Sequence, residues 1–246
     1  YSKMIEKNEI QIEKEEAAQY MKLSADKGSV SSMLKYSQML KKGEGTSIDI
    51  KESNRYLKIA TDKKGTKSMY NYAFMKNEGD GVECDKREAA RYYKIAADKG
   101  NDGACINYAK MLDEGDFFLV DKQEAARYYK IVADKGNTNA MFNYATIYDN
   151  GDEVPTDKKK AARYYKMAAD KGDVNSMFNY AYMIDNGDGV TINKKEAARY
   201  YKMAANKGDV NSMFHYAFLN DNGDGIAINK KEAIRYYTMA ANKGDE

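Results

Sequence analysis

Residues 185–196 carry the pattern nearest to a metal site in this chain, with Asp185 first, Ile192 eighth and Glu196 twelfth in a calcium-loop register. The register fails at its ligands. Its third and fifth positions are Gly187 and Gly189, which offer no side-chain oxygen, and its sixth is Val190 where the sharp turn needs Gly. No cluster of His and Cys offers another metal centre, and the single His, His215, has no Cys or Ser partner recurring at a set spacing. The Gly-Asp-Gly stretches lack the Lys-Ser/Thr that completes a phosphate-binding loop. The expectation is no metal, no cofactor and no enzyme chemistry.

What recurs instead is an amide. Asn71, Asn107, Asn143 and Asn179 stand 36 residues apart, with His215 next in the series and Lys35 before it. Asn presents a donor and an acceptor side by side, so a row of them could grip successive peptide groups of an extended chain without reading its side chains. Neighbouring rows could do the reading: Phe74, Lys110, Thr146, Tyr182 and Phe218 on one side, and Tyr70, Ile106, Phe142, Phe178 and Phe214 on the other. The same amides could equally bond a neighbouring helix and serve only the fold. Both readings stand at this point.

The elements that must position these rows repeat with them. Tyr20, Tyr56, Tyr92, Tyr128, Tyr164, Tyr200 and Tyr236 fall 36 residues apart, a period that marks a solenoid of stacked units. A partial unit over 1–28 precedes six full ones over 29–64, 65–100, 101–136, 137–172, 173–208 and 209–244, read as a single array over 1–246. Each unit holds two helical stretches. In the first, as in Val174–Asn186, residues Met177, Tyr180, Ala181 and Ile184 share one face at helical spacing. N-caps are predicted at Ser29, Thr66, Asn101, Asn137, Asp173 and Asp209.

The second helix is predicted to start at Asp49, Asp85, Asp121, Asp157, Asn193 and Asn229, and in five of six units a Glu three residues on completes a reciprocal capping box. It closes on Lys-Gly, the Gly taking the left-handed position beyond the helix. Turns this short make consecutive helices antiparallel. Alanines such as Ala197, Ala204 and Ala205 let helices approach, and the Tyr pairs are predicted to fill the core. Phe117 and Glu153 replace the second Gly of the hairpin turn in two units. The run Phe117, Phe118, Leu119, Val120 is the most apolar turn, either packed on the neighbouring unit or open to a partner. Units 173–208 and 209–244 are nearly identical, and their differences cluster in the first helix and the turn, as a fixed framework with a variable face would show.

Composition excludes several classes. Forty Lys and Arg face 38 Asp and Glu for a net charge of +2, an even balance without the basic stripe of a nucleic-acid binder. No stretch approaches the roughly 18 apolar residues of a membrane span, and the first ten residues lack a signal-peptide core. Membrane insertion is not expected. Cys84 and Cys105 sit at unrelated positions of the period, which points to a reducing, cytoplasmic setting. The chain opens inside a repeat and stops where another would begin, as expected of a piece of a longer protein.

Gly187, Gly189, Val190, Ala197, Tyr200, Tyr201, Ala204, Ala205 and Gly208, with their equivalents in the other units, resemble the Sel1-like repeat, a relative of the tetratricopeptide repeat. The resemblance covers essentially the whole chain. Tyr-Ala, as at Tyr180-Ala181, stands where the family usually has Leu-Gly, and the added Cβ should widen the helix contact slightly. The resemblance implies an all-α fold, a right-handed superhelical α-solenoid of antiparallel helix pairs, with the first helix on the concave wall. On that placement Lys35, Asn71, Asn107, Asn143, Asn179 and His215, with Phe74, Tyr182, Phe218, Phe142, Phe178 and Phe214 beside them, are the partner-binding candidates. The resemblance further implies an adaptor or scaffold binding a protein or extended peptide, mostly without chemistry. The alternative is a spacer or assembly domain of a larger enzyme, for example kinase-linked, whose activity lies outside this chain. Secreted relatives with a Cys pair in every repeat are linked to β-lactams; this chain lacks those pairs.

Overall fold

The computed structural model describes residues 2–63, 65–115, 120–151 and 153–244, with side chains from residue 12 onward. Phe117, Phe118 and Leu119 of the apolar turn lie outside the described residues. The described chain is all-α. Its thirteen helices are α1 (Ser2–Asp26), α2 (Val30–Lys42), α3 (Ile50–Asp62), α4 (Thr66–Glu78), α5 (Lys86–Asp98), α6 (Asp102–Glu114), α7 (Lys122–Ala133), α8 (Thr138–Asn150), α9 (Lys158–Asp170), α10 (Val174–Asn186), α11 (Lys194–Asn206), α12 (Val210–Asn222) and α13 (Lys230–Gly244). They fall into two compact units, Tyr1–Val120 with α1–α6 and Asp121–Glu246 with α7–α13. Within each unit every helix packs on the next in the chain.

The first helices of the hairpins begin where their caps allow. Ser29, Asn101, Asn137, Asp173 and Asp209 each accept a hydrogen bond from the backbone N–H three residues on. The cap expected at Thr66 is instead Gly65, with Thr66 the first helical residue and no side-chain cap bond. Position 65 is the true counterpart of Ser29 and Asn101, and there the Ser68 hydroxyl turns back to the Gly65 and Ala60 carbonyls. All six first helices end at a left-handed Gly, from Gly43 to Gly223, with φ between 68° and 73°.

The second helices carry half of the expected capping box. Asp49, Asp85, Asp121, Asp157, Asn193 and Asn229 accept from the N–H three residues on. The return bond is replaced. The cap N–H of Asp49, Asp85, Asp157, Asn193 and Asn229 donates to the first-helix carbonyl of Leu40, Lys76, Tyr148, Ile184 and Asn220, at 2.7–2.9 Å, and so closes the hairpin turn. The Glu side chains take other partners. Glu52 and Glu124 hold Arg55 and Arg127, while Glu196 accepts from Lys166 and Tyr180.

Tyrosine and alanine build the core. Tyr36–Tyr56, Tyr72–Tyr92, Tyr144–Tyr164, Tyr180–Tyr200 and Tyr216–Tyr236 meet edge to face across each hairpin, with centroids 4.5–5.0 Å apart. In four of these five couples the second Tyr also donates back to the preceding hairpin. Tyr56 donates to Asp26 at 2.5 Å, Tyr164 to Asp134 at 3.0 Å, Tyr200 to Asp170, and Tyr236 to Asn206 at 2.7 Å. Lysines reach forward in return. Lys58 donates to the Tyr92 hydroxyl at 3.1 Å, and Lys166 to Glu196 at 2.6 Å and the Tyr200 hydroxyl at 3.0 Å. Tyr20, the first of the series, is exposed.

Successive hairpins approach most closely at the second Gly of the turn. A Cβ on Gly189, whose φ is +70°, would lie 2.1 Å from the Lys158 Cβ at the start of α9. Gly189→Ala should therefore cost about 3 kcal/mol, from the left-handed backbone and from overpacking together. Gly100→Ala isolates the backbone share, because Gly100 has φ +85° with nothing within 4 Å of its Cβ position, and should cost only about 1 kcal/mol. Chemical denaturation of the two variants measures the difference, and equal losses would refute the close approach.

Candidate interaction face

The expected site residues lie on the first helices, and they divide by depth. Lys35 on α2 is exposed, whereas Asn71, Asn107, Asn143, Asn179 and His215 are half-buried, as are Phe142 and Phe178. Phe74, Tyr182, Phe214 and Phe218 are 43%, 45%, 52% and 48% exposed. Asn71 and Phe74 line a cleft of about 180 Å³ with Leu57, Lys41 and Asp80. The amide row thus lies between core and solvent, with the exposed aromatics outside it.

The residue that links these rows is the second Tyr of each adjacent pair, a core position that sequence reasoning assigned to packing alone. Its ring meets an aromatic of its own hairpin: Tyr93 meets Tyr70, Tyr165 meets Phe142, Tyr201 meets Phe178 and Tyr237 meets Phe214, at 5.6–6.0 Å. The amide position of the following hairpin then closes over it. His215 stacks on Tyr201 at 5.0 Å with planes 13° apart. Asn107 lies beside the Tyr93 phenol and Asn179 beside that of Tyr165, each favouring the ionised form. The usable signal was the exchange of Asn for His at position 215, because both are flat polar groups that suit an aromatic face.

Burial dominates the electrostatics here. The Tyr165 phenol is pushed up to about 12, chiefly by burial, although Thr146 and Asn179 pull it down. Tyr165 shares a 3.0 Å hydrogen bond with the Thr146 hydroxyl and donates to Asp149 at 3.3 Å. Tyr93 is raised by burial as well, with Asn107 pulling it down, yet its hydroxyl has no close hydrogen bond among the described residues. Two differences account for this. Phe74 stands at the position equivalent to Thr146 and offers no hydroxyl. Sixteen residues before Tyr165 stands Asp149, whereas sixteen before Tyr93 stands Asn77, whose own Oδ1 is also buried without a partner.

The last two hairpins concentrate the aromatic surface. Around His215 stand Phe178 at 5.7 Å, Phe214 at 6.0 Å and Tyr182 at 6.1 Å, in addition to the stacked Tyr201. Burial lowers the His215 pKa from its ordinary value, against the pull of the Asp185 and Asp209 carboxylates. Helices α8, α10 and α12 contain no Lys or Arg. Their Asp149, Asp185 and Asp221 pair with Lys158, Lys194 and Lys230 of the second helices at 2.6–2.8 Å. The arrangement presents aromatic surface on the first helices with lysine-held carboxylates beneath it.

The family model described as Sel1 repeat matches seven times, over residues 5–29, 30–64, 66–101, 103–137, 138–173, 174–209 and 210–245. The chain is similar to the solved structure of a protective antigen from uropathogenic Escherichia coli strains that displays an SLR fold, with 27% identity and a TM-score of 0.84. That match covers 92% of this chain and 49% of the antigen, so the chain spans about half the antigen's length. It is also similar to a Sel1 repeat protein from Oxalobacter formigenes, with 27% identity, a TM-score of 0.68, and coverage of 87% of this chain and 88% of the other. No curated protein matches the sequence. No helix among the described residues is long and apolar enough to cross a membrane.

Two outcomes test this geometry. Tyr93→Phe removes a buried hydroxyl without a partner and should stabilise the protein by about 1 kcal/mol, whereas Tyr165→Phe discards two bonds and should cost about 1 kcal/mol. Urea titrations giving the same sign for both would contradict the assigned partners. His215, with its folded pKa below its ordinary 6.5, binds protons less readily in the folded chain than in the unfolded one. Its contribution is therefore complete above 6.5 and declines as pH falls through 6.5 towards the folded value. The groups facing it are Asp185, Asp209, Tyr182 and Tyr201. Between pH 7.5 and 5.5 the melting temperature of the parent should drop further than that of His215→Asn, which carries the residue of the equivalent positions.

Proposed function

We propose a function from one premise: the chain belongs to the Sel1 repeat family, with seven repeats. Members of this family are generally protein-interaction scaffolds. On this reading the chain is a non-catalytic scaffold that holds a protein or an extended peptide along its first-helix face. The carrying observation is the contrast between two sets of side chains. Second-helix tyrosines and lysines are engaged within the fold, while Phe74, Tyr182, Phe214 and Phe218 are about half exposed on the first helices. Exposed aromatics beside half-buried polar groups suit protein recognition, where aromatic anchors dominate the energy. The even charge, +2 overall, supports a protein partner over nucleic acid.

The amide row is proposed to hold partner backbone while the flanking aromatics read side chains. Phage-displayed peptides selected on the intact protein test this. Replacing Asn143 and Asn179 of the second unit together by Ala should weaken the selected peptides about tenfold, at roughly 1 kcal/mol or less per lost hydrogen bond, with little change in melting temperature. A variant that unfolds would assign the row to the framework. Selection that enriches no peptide on the parent protein would remove the scaffold reading for this face.

A further inference from the structure

The aromatic surface of the last two hairpins differs from the rest of the molecule in the charge around it. Within these same hairpins the protein places its own cations on the buried tyrosines. Lys166 lies over the Tyr180 and Tyr200 rings at 4.8 and 5.0 Å, Lys202 over Tyr216 at 5.3 Å, and Arg199 over Tyr200 at 4.5 Å. Tyr182, Phe214 and Phe218 receive no such cation among the described residues, although they are the more exposed rings. The corresponding helices of the first unit carry Lys35, Lys41, Lys42, Lys67, Lys76 and Lys110. Helices α8, α10 and α12 carry none, and the charges that reach His215 are the carboxylates of Asp185 and Asp209.

From this complementarity we infer that the α10–α12 face takes a cationic segment of a partner protein, an arginine- or lysine-bearing stretch whose cation sits against Tyr182, His215 and Phe218. The inference rests on the scaffold reading and adds the chemistry of the partner. A cation within about 6 Å of an aromatic centroid is attracted by the ring's negative face. Tyr182 and Phe218 occupy equivalent positions 36 residues apart, so they present two such rings on consecutive hairpins. His215 lies between the two helices' aromatics, edge-on to Tyr182 at 89°. Burial keeps its imidazole biased to the neutral form, so it adds a ring without adding a competing charge. Asp185 is engaged by Lys194 and Asp209 caps α12, so the complementarity lies in first helices that carry carboxylates and exposed rings but no cation of their own.

The test uses the intact protein and three fluorescein-labelled Gly/Ser peptides that differ at the same spaced positions: arginine, citrulline or glutamate. Citrulline keeps the planar shape and removes the charge. Fluorescence anisotropy should show the arginine peptide binding at least about fivefold more tightly than the citrulline peptide, and the glutamate peptide weakest. Combined Tyr182→Ala and Phe218→Ala should erase that preference, and a melting curve checks that the fold persists, since both side chains are exposed. Equal binding of arginine and citrulline peptides overturns the inference, as does an arginine preference that survives in the double variant. If both peptides bind alike and both are lost in the double variant, the cationic partner falls while the scaffold reading stands. Absence of binding by all three overturns the inference as well, and the phage selection then judges the scaffold reading separately.

Discussion

A tyrosine that is buried must still find an acceptor for its hydroxyl, and much of this structure follows from that requirement. Tyr56, Tyr164, Tyr200 and Tyr236 are 5% exposed or less, and each finds its acceptor at the end of the preceding second helix, 30 residues back. The bond fixes how far apart consecutive second helices can stand. At that separation Ala96, Ala168 and Ala204 are wholly buried. The turn of the next hairpin then lies against the first turn of the helix before it, where a Cβ on Gly81, Gly189 or Gly225 would come within 2.0–2.1 Å of Ile50, Lys158 or Lys194. Tyr, Ala and Gly in the repeat therefore answer one constraint.

The same constraint organises charge. Because the hairpin turn is closed by a backbone bond to the first helix, the Glu in the first turn of the second helix becomes an acceptor for lysines from elsewhere, as Glu196 does for Lys166 and Glu88 for Lys76. These pairs are partly exposed, and such pairs contribute only about 0–1 kcal/mol each. Their effect is on register, because Lys158 and Lys194 each join an Asp of their own hairpin to an Asp of the next turn. Cations thus gather on the second helices. In the second unit the first helices are left with aromatic surface and acidic groups.

Much of this was legible in the sequence, because repetition shows which residues answer geometry. The left-handed glycines that follow the second helices, Gly100, Gly136, Gly172 and Gly208, and the caps at Ser29, Asn101, Asn137, Asp173 and Asp209 recur at one interval and stand where expected. The Sel1 resemblance extends across the chain as the family matches require. Illegible features depended on contacts between units of the pattern. Glu52 has the spacing of a capping box, and only the fold shows the cap N–H of Asp49 already donating to Leu40. Thr66 looked like a cap because Thr favours that position, yet the backbone places Gly65 there. Nothing local says that Asn107 and Asn179 approach a tyrosine of the preceding helix. That juxtaposition is a property of stacking.

The amide row shows how one position can serve the core and still face solvent. At Asn107, Asn179 and His215 the side chain has one face against the preceding tyrosine and the other towards solvent, and a flat group suits that place. Asn179 and His215 both fill it beside Tyr165 and Tyr201, although one is an amide and the other an aromatic ring. The chemistry shown outward can change without disturbing the stack. In the last two hairpins that freedom joins His215 to Phe178, Tyr182 and Phe214 in one aromatic group, beside Lys194, which is held on Asp185. A repeat whose packing asks for shape at its outer row can vary the surface it shows while keeping its internal hydrogen bonds.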